Sequence, residues 1–212
     1  MLKNRTFLLA CALGAGVLLG GCAAQAPSLA YKGPAQAGAL AGKVVCPTID
    51  FQGANFAQLK PTKEHPEYNG SAVMQPAELD SVYGNQIVSA LRQEGATISK
   101  DPKHADIVIH ALLHPAPGHT HLVWTEYEMG KTMAMALIPL THSRYYIQHD
   151  QLVDDITITA KGQAPKHLTI PLVQTVPYKS TTLTGGAQMM DDMRIYRNLQ
   201  AKAVKQVLQA LH

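Results

Sequence analysis

Apolar and polar positions alternate in three distinct ways along the chain, and each regime predicts its own kind of element. From Val44 to Phe51 a short apolar run reads as a first strand. From Gln75-Pro76-Ala77-Glu78 to Gln93 the period changes to that of a helix. Leu79, Val82, Tyr83, Ile87, Ala90 and Leu91 recur at helical spacing, and Gly95 supplies a stop. Between these two elements, residues 52–75 are polar and punctuated by Pro61, Pro66 and Gly70, the composition of a long loop. Ala105 to His114 alternates as a strand, with Ile107, Ile109, Ala111 and Leu113 on one face and Asp106, Val108, His110, Leu112 and His114 on the other.

Pro115-Ala116-Pro117-Gly118 then reads as a hairpin turn, with His119 to Glu128 as the return strand. Ser143 to Asp150 and Val153 to Lys161 are expected to form a second hairpin, and His167 to Val176 a further strand. Met133 to Leu140 is wholly apolar up to Pro139 and fits a buried strand, a short helix or a lipid-facing loop equally well. A terminal helix to Leu211 places Ile195, Tyr196, Leu199, Ala203, Val207 and Leu211 near one face. Asp191 and Asp192 suit its N-terminus. Strand, helix, strands, helix in that order predicts an α+β fold: a two-layer sandwich with a mixed or antiparallel sheet and helices on one face.

The N-terminus obeys none of these periods. Lys3 and Arg5 precede about a dozen mostly apolar residues from Phe7 to Leu19, the length of a signal h-region and short of the roughly 20 that span a bilayer. The run ends in Leu19-Gly20-Gly21-Cys22. This arrangement resembles a bacterial lipoprotein signal. The resemblance implies diacylglyceryl transfer to the Cys22 sulfur, cleavage before Cys22 and acylation of the new amine. Two or more acyl chains anchor stably, where one alone is marginal. Ala23 follows Cys22 where the enterobacterial sorting pattern places an aspartate for inner-membrane retention. The resemblance therefore implies an outer-membrane anchor facing the periplasm.

On this reading residues 1–21 are the signal, 22–42 a lipidated tether and 43–212 a single domain. The tether is rich in Ala, Gly, Pro and Gln, and about twenty such residues span roughly 25 Å as a flexible coil. Removing residues 1–21 from 212 leaves 191 residues, and losing Lys3 and Arg5 takes the formal charge from +3 to +1. A near-neutral chain gives no electrostatic case for nucleic acid. Of three cysteines, Cys11 lies in the signal and Cys22 at the lipidation position, so Cys46 is left without a disulfide partner and reads as a small buried hydrophobe.

The helix followed by Ala105-Asp106-Ile107-Val108-Ile109-His110-Ala111 is similar to several envelope lipoprotein domains. These are the curli-secretion lipoprotein, the lipopolysaccharide-assembly lipoprotein and the amino-terminal domain of the Tol-Pal beta-propeller protein. The similarity covers Lys43 to His114 and the terminal helix. It implies an assembly role without carrying over any functional residue.

One cluster has the residue types of a chemical site. In the predicted hairpin His114 faces His119, His121 lies diagonally across, and His110 shares the face of His114. Neutral imidazoles suit Zn, Cu or Ni, and Asp106, Glu126 or Glu128 could add a carboxylate. The competing reading is a set of solvated or carbonyl-paired histidines. The chain contains no GxSxG, HExxH or P-loop pattern. The paired carboxylates Asp154-Asp155 point to opposite faces of a strand.

The sequence therefore favours a non-enzymatic, lipid-anchored envelope protein with protein partners and no required cofactor, with Met133, Met135, Leu137 and Ile138 as contact residues. The alternatives are a periplasmic metal-binding lipoprotein and a carrier of a small apolar ligand lined by Met133 to Leu140.

Overall fold

The computed structural model describes residues 28–136, 143–180 and 185–212. Cys22, Leu137 and Ile138 lie outside the described residues, and Met135 is described only as part of a helical backbone. Among these residues seven strands form one sheet: β1 (Val44–Phe51), β2 (Ala72–Val73), β3 (Thr97–Ile98), β4 (Ile107–Pro115), β5 (Val123–Tyr127), β6 (Arg144–Ala160) and β7 (Lys166–Ser180). Three helices accompany them: α1 (Pro76–Gln93), α2 (Met129–Ala136) and α3 (Gly185–Leu211). The fold is α+β with a mixed sheet.

β1 pairs in parallel with β3 on one side and β4 on the other, and every other pairing is antiparallel. A parallel pair needs a crossover, which α1 supplies between β1 and β3. Pro76 opens α1, and the Gln75 amide donates to Glu78 Oε2 at 2.7 Å. This is half of a capping box, in which N3 reaches back to the cap. Gly95 ends the helix at φ +91°, and a Cβ there would approach the Ala41 backbone at 3.3 Å.

α1 and α3 pack together on one face of the sheet. Leu79, Tyr83, Ile87, Tyr196, Val204 and Val207 bury against Ile109, Leu113, Leu152, Ile156 and Leu172 in a single core. The alternation read in β4 holds, since Ile107, Ile109, Ala111 and Leu113 are all buried. Cys46 is a free, buried thiol in β1, and burial raises its pKa.

Four expectations need correction. Residues 143–161 do not form a hairpin; they make one 17-residue strand, β6. The polar Asp150-Gln151 step looks like a turn. Asp150 instead points inward and accepts from Gln148 Nε2 and Gln174 Nε2, both at 2.7 Å. The true hairpin joins β6 to β7 through residues 161–165, with Gly162 at φ +77°.

β5 is not a return strand for β4. Both run antiparallel to β6 along the same edge, β4 against residues 152–160 and β5 against 146–150. Residues 116–122 form an excursion opposite Gln151, whose carbonyl accepts from the Ala116 amide at 2.8 Å and whose amide donates to Leu122 O at 2.7 Å. Ala116 and Leu122 are buried and pin both ends of the excursion.

Asp191 and Asp192 lie two turns inside α3, which begins at Gly185, so they are not N-terminal caps. The apolar segment from Met133 is helical up to Ala136, within α2.

The stretch read as a tether is docked from Ser28 onward. Tyr31 and Leu40 are buried; the Tyr31 amide donates to Ser89 Oγ at 2.7 Å and the Leu40 amide to Glu94 O at 2.8 Å. Two aromatic or aliphatic anchors among small residues show no period, so composition alone conceals this contact.

Candidate functional site

With both long helices on one side, the other face of the sheet carries the polar chemistry. Alternation along β4 and β6 sends His110, His114, His149, Asp155 and Thr157 to this face. Cross-strand register aligns Thr48, His110, Thr157 and His167 in one row across β1, β4, β6 and β7. His110 Nε2 donates to Asp50 Oδ2 at 2.8 Å. His114 Nε2 meets Asp155 Oδ2 at 3.1 Å, and its Nδ1 lies 3.0 Å from Pro115 O. His167 Nδ1 is 3.1 Å from Thr157 Oγ1. Asp155 also accepts from Thr169 Oγ1 at 2.7 Å. That bond, with the His114 contact, holds its carboxyl below the usual range.

The four predicted histidine ligands do not converge. The excursion carries His119 and His121 away from the cross-strand positions a hairpin would give them. His119, His114 and Asp155 line one open cleft of about 440 Å³ beside Gln52 and Gly53. His121 is buried, with Nδ1 against Thr120 Oγ1 at 3.0 Å and Nε2 without a partner. Among the described residues no three His, Cys, Asp or Glu side chains come together as a metal-binding group. Asp106 serves the backbone, its Oδ2 accepting from the Val44 amide at 2.8 Å. Glu128 pairs with Lys131 at 3.6 Å.

An aromatic series that the sequence does not announce runs along the β5 side of the same face. His65 stacks on Tyr68 at 4.9 Å, Tyr68 meets Trp124 edge-on at 5.6 Å, and Trp124 stacks on His149 at 4.1 Å. Glu126 Oε2 approaches His149 Nε2 at 3.4 Å, and Trp124 Nε1 donates to Gln151 Oε1 at 3.3 Å. Reading β5 as the return strand of β4 hides this series, because it sets Trp124 against β4 and not against His149 of β6.

Beneath the sheet lies a second polar group, hidden when β6 is split at Asp150. Gln148, Asp150 and Asp154 occupy the inward face of β6 beside Tyr146, Leu152 and Ile156. Burial raises Asp150 to about 6 and Asp154 to about 7. The Tyr83 hydroxyl offsets part of the burial of Asp154, yet neither carboxylate oxygen has a partner in hydrogen-bonding geometry. Asp192 of α3 reaches the sheet, where its Oδ1 accepts from Thr125 Oγ1 at 3.0 Å and Tyr178 Oη at 2.6 Å; burial raises it to about 7. Polar side chains sharing the every-second-residue positions of core Leu152 and Ile156 are the signal that finds this group once β6 is read as continuous.

The apolar contact residues divide. Met133 is exposed at 64%, with Met129 at 43% in the same helix and one turn away. α2 leaves the sheet after β5, at the end where β6 starts and β7 finishes, and Thr132 Oγ1 accepts from the Tyr145 amide at 3.0 Å. Met189, exposed at 42%, belongs to the first turns of α3 at that same end.

No family model and no curated protein matches the chain. Solved structures are similar only loosely. A protein of the DUF330 family from Xanthomonas campestris gives a TM-score of 0.38 at 11% identity, covering 84% of this chain and 93% of its own. An uncharacterized protein gives 0.36 at 9% identity, covering 84% and 97%. Rare lipoprotein B from Shewanella oneidensis gives 0.31 at 11% identity, covering 78% and 92%. Likenesses of this size assign neither a family nor an activity.

Proposed function

We propose that the chain is a non-enzymatic, lipid-anchored protein of the bacterial cell envelope, held at the outer membrane and facing the periplasm. It serves as an accessory or assembly component of a larger envelope complex. The observation that carries this reading is the basic and then apolar N-terminus ending in Leu19-Gly20-Gly21-Cys22, whose cysteine would take the lipid. The geometry supports it in a second way. The histidines of the open face are tied pairwise to carboxylates, hydroxyls and aromatic rings of the same sheet, an arrangement that braces a surface.

The contact surface for a protein partner is the α2 end of the sheet, with Met133 and Met129 at its centre. Unbranched thioether side chains adapt to an apolar partner surface at low steric cost. In-cell crosslinking with quantitative pull-down, comparing the native protein with Cys22→Ala and with Met133→Glu, tests the reading. The expected result is one stoichiometric set of envelope proteins, weakened by either substitution. Recovery of the bait alone in all three forms contradicts it.

A further inference from the structure

The described chain begins on the outer surface of the helix layer, not at an edge of the sheet. Ser28 O accepts from Arg197 Nη1 of α3 at 2.9 Å. Ser28, Leu29 and Ala30 lie in a groove along Asn85, Val88, Ser89 and Arg92, a single outward stripe of α1. Gln93 Nε2 then donates to Tyr31 O at 2.9 Å. Arg197 is the thirteenth residue of the 27 in α3, a helix about 40 Å long at 1.5 Å per residue. Cys22 precedes Ser28 by six residues, which reach about 20 Å at full extension. Cys22 itself therefore reaches no farther than about the ends of α3, which keeps its attachment point nearer the helix layer than the open face of the sheet.

The surface nearest that anchor is basic. After Asp192, α3 carries Arg194, Arg197, Lys202 and Lys205 and no acidic residue. Arg194, Lys202 and Lys205 are exposed on one arc of the helix, and Arg92 is exposed on α1. Asp191 is engaged with Arg194 at 2.9 Å, and Asp80 is the exposed acid of α1. Among the described residues Lys202 and Lys205 form no ion pair. The open face presents Asp50, Glu126 and Asp155, with Lys179 as the exposed base of β7.

We propose that the outward face of α1 and α3 lies against an anionic phospholipid surface, so that the open, histidine-bearing face of the sheet points away from the membrane. The inference rests on lipidation of Cys22 and adds an orientation to it. A short link and a basic face act together: the anchor keeps the domain within a Debye length or two of the headgroups, where Lys and Arg are attracted and added salt weakens the attraction.

The test uses the full-length lipidated protein in vesicles of phosphatidylethanolamine and phosphatidylglycerol that contain a nitroxide-headgroup lipid and no other protein. A thiol-reactive fluorophore is placed at Gln209→Cys on α3 or at Val173→Cys on the open face; native Cys46 is fully buried and Cys22 is blocked by lipid. The expected result is quenching several-fold stronger at position 209 than at 173, lost at high salt and in Lys202→Glu/Lys205→Glu. Equal quenching at both positions, or stronger quenching at 173, in protein whose mass carries the acyl groups overturns the orientation alone. Protein lacking the acyl mass overturns the anchor and the orientation together.

Discussion

Asp154 is the residue whose environment makes the sharpest demand on the chemistry. It is fully buried, its oxygens lack hydrogen-bond partners, and burial raises it to about 7. In the unfolded chain an aspartate titrates near 4, at about its ordinary value. Between pH 4 and 7 the folded state therefore binds a proton that the unfolded state does not, and stability falls as pH rises through that window. Asp150 and Asp192 act in the same direction, up to about 6 and about 7. Asp155, held below its ordinary range, acts oppositely and only at more acid pH.

Asp154→Asn should thus stabilise the domain at pH 8 by roughly 1–3 kcal/mol, below the full linkage value of about 4 because a buried amide there still wants partners. At pH 5 it should change stability little. Urea denaturation at the two pH values checks this, and equal effects at both would refute it. The histidines make a separate prediction. With His110, His114, His119 and His121 dispersed, Zn, Cu and Ni should bind only weakly in calorimetric titration. Replacing His114, His119 and His121 by Ala should leave that weak binding unchanged, whereas tight uptake lost in the triple variant would restore the metal reading.

At the scale of elements, β1, α1 and β4 were legible because each obeys one period and is bounded by its own punctuation: Pro76 and Gly95 for α1, the alternating apolar face for β4. β6 was not. A long strand whose inward face carries Gln148, Asp150 and Asp154 among aliphatics mimics two short strands and a turn, and only the bond from Gln174 of β7 to Asp150 shows why it continues. The excursion at 116–122 is hidden in the sequence for a related reason. Pro115 and Gly118 are turn residues in either geometry, and what distinguishes them is the burial of Leu122, which returns the chain to the same edge of β6. Leu122→Ala should accordingly cost about 2–4 kcal/mol, the range for truncating a fully buried leucine. Thermal or urea unfolding measures it, and a loss under about 0.5 kcal/mol would mean that the excursion is not pinned there.

For the whole molecule, the two layers divide the labour. The helix layer takes the incoming chain at Ser28 and carries the basic arc of α3; the open sheet face carries the braced histidines and the Trp124 series; the α2 end exposes methionine. On the proposed reading, what joins these faces into one function is a lipid anchor at Cys22, which only the N-terminal motif announces. The most direct measurement is the intact mass of the protein extracted from membranes. The account predicts a mature chain beginning at Cys22 and carrying three acyl chains' mass, absent in Cys22→Ala. A mature chain that begins elsewhere, or at an unmodified Cys22, would contradict it.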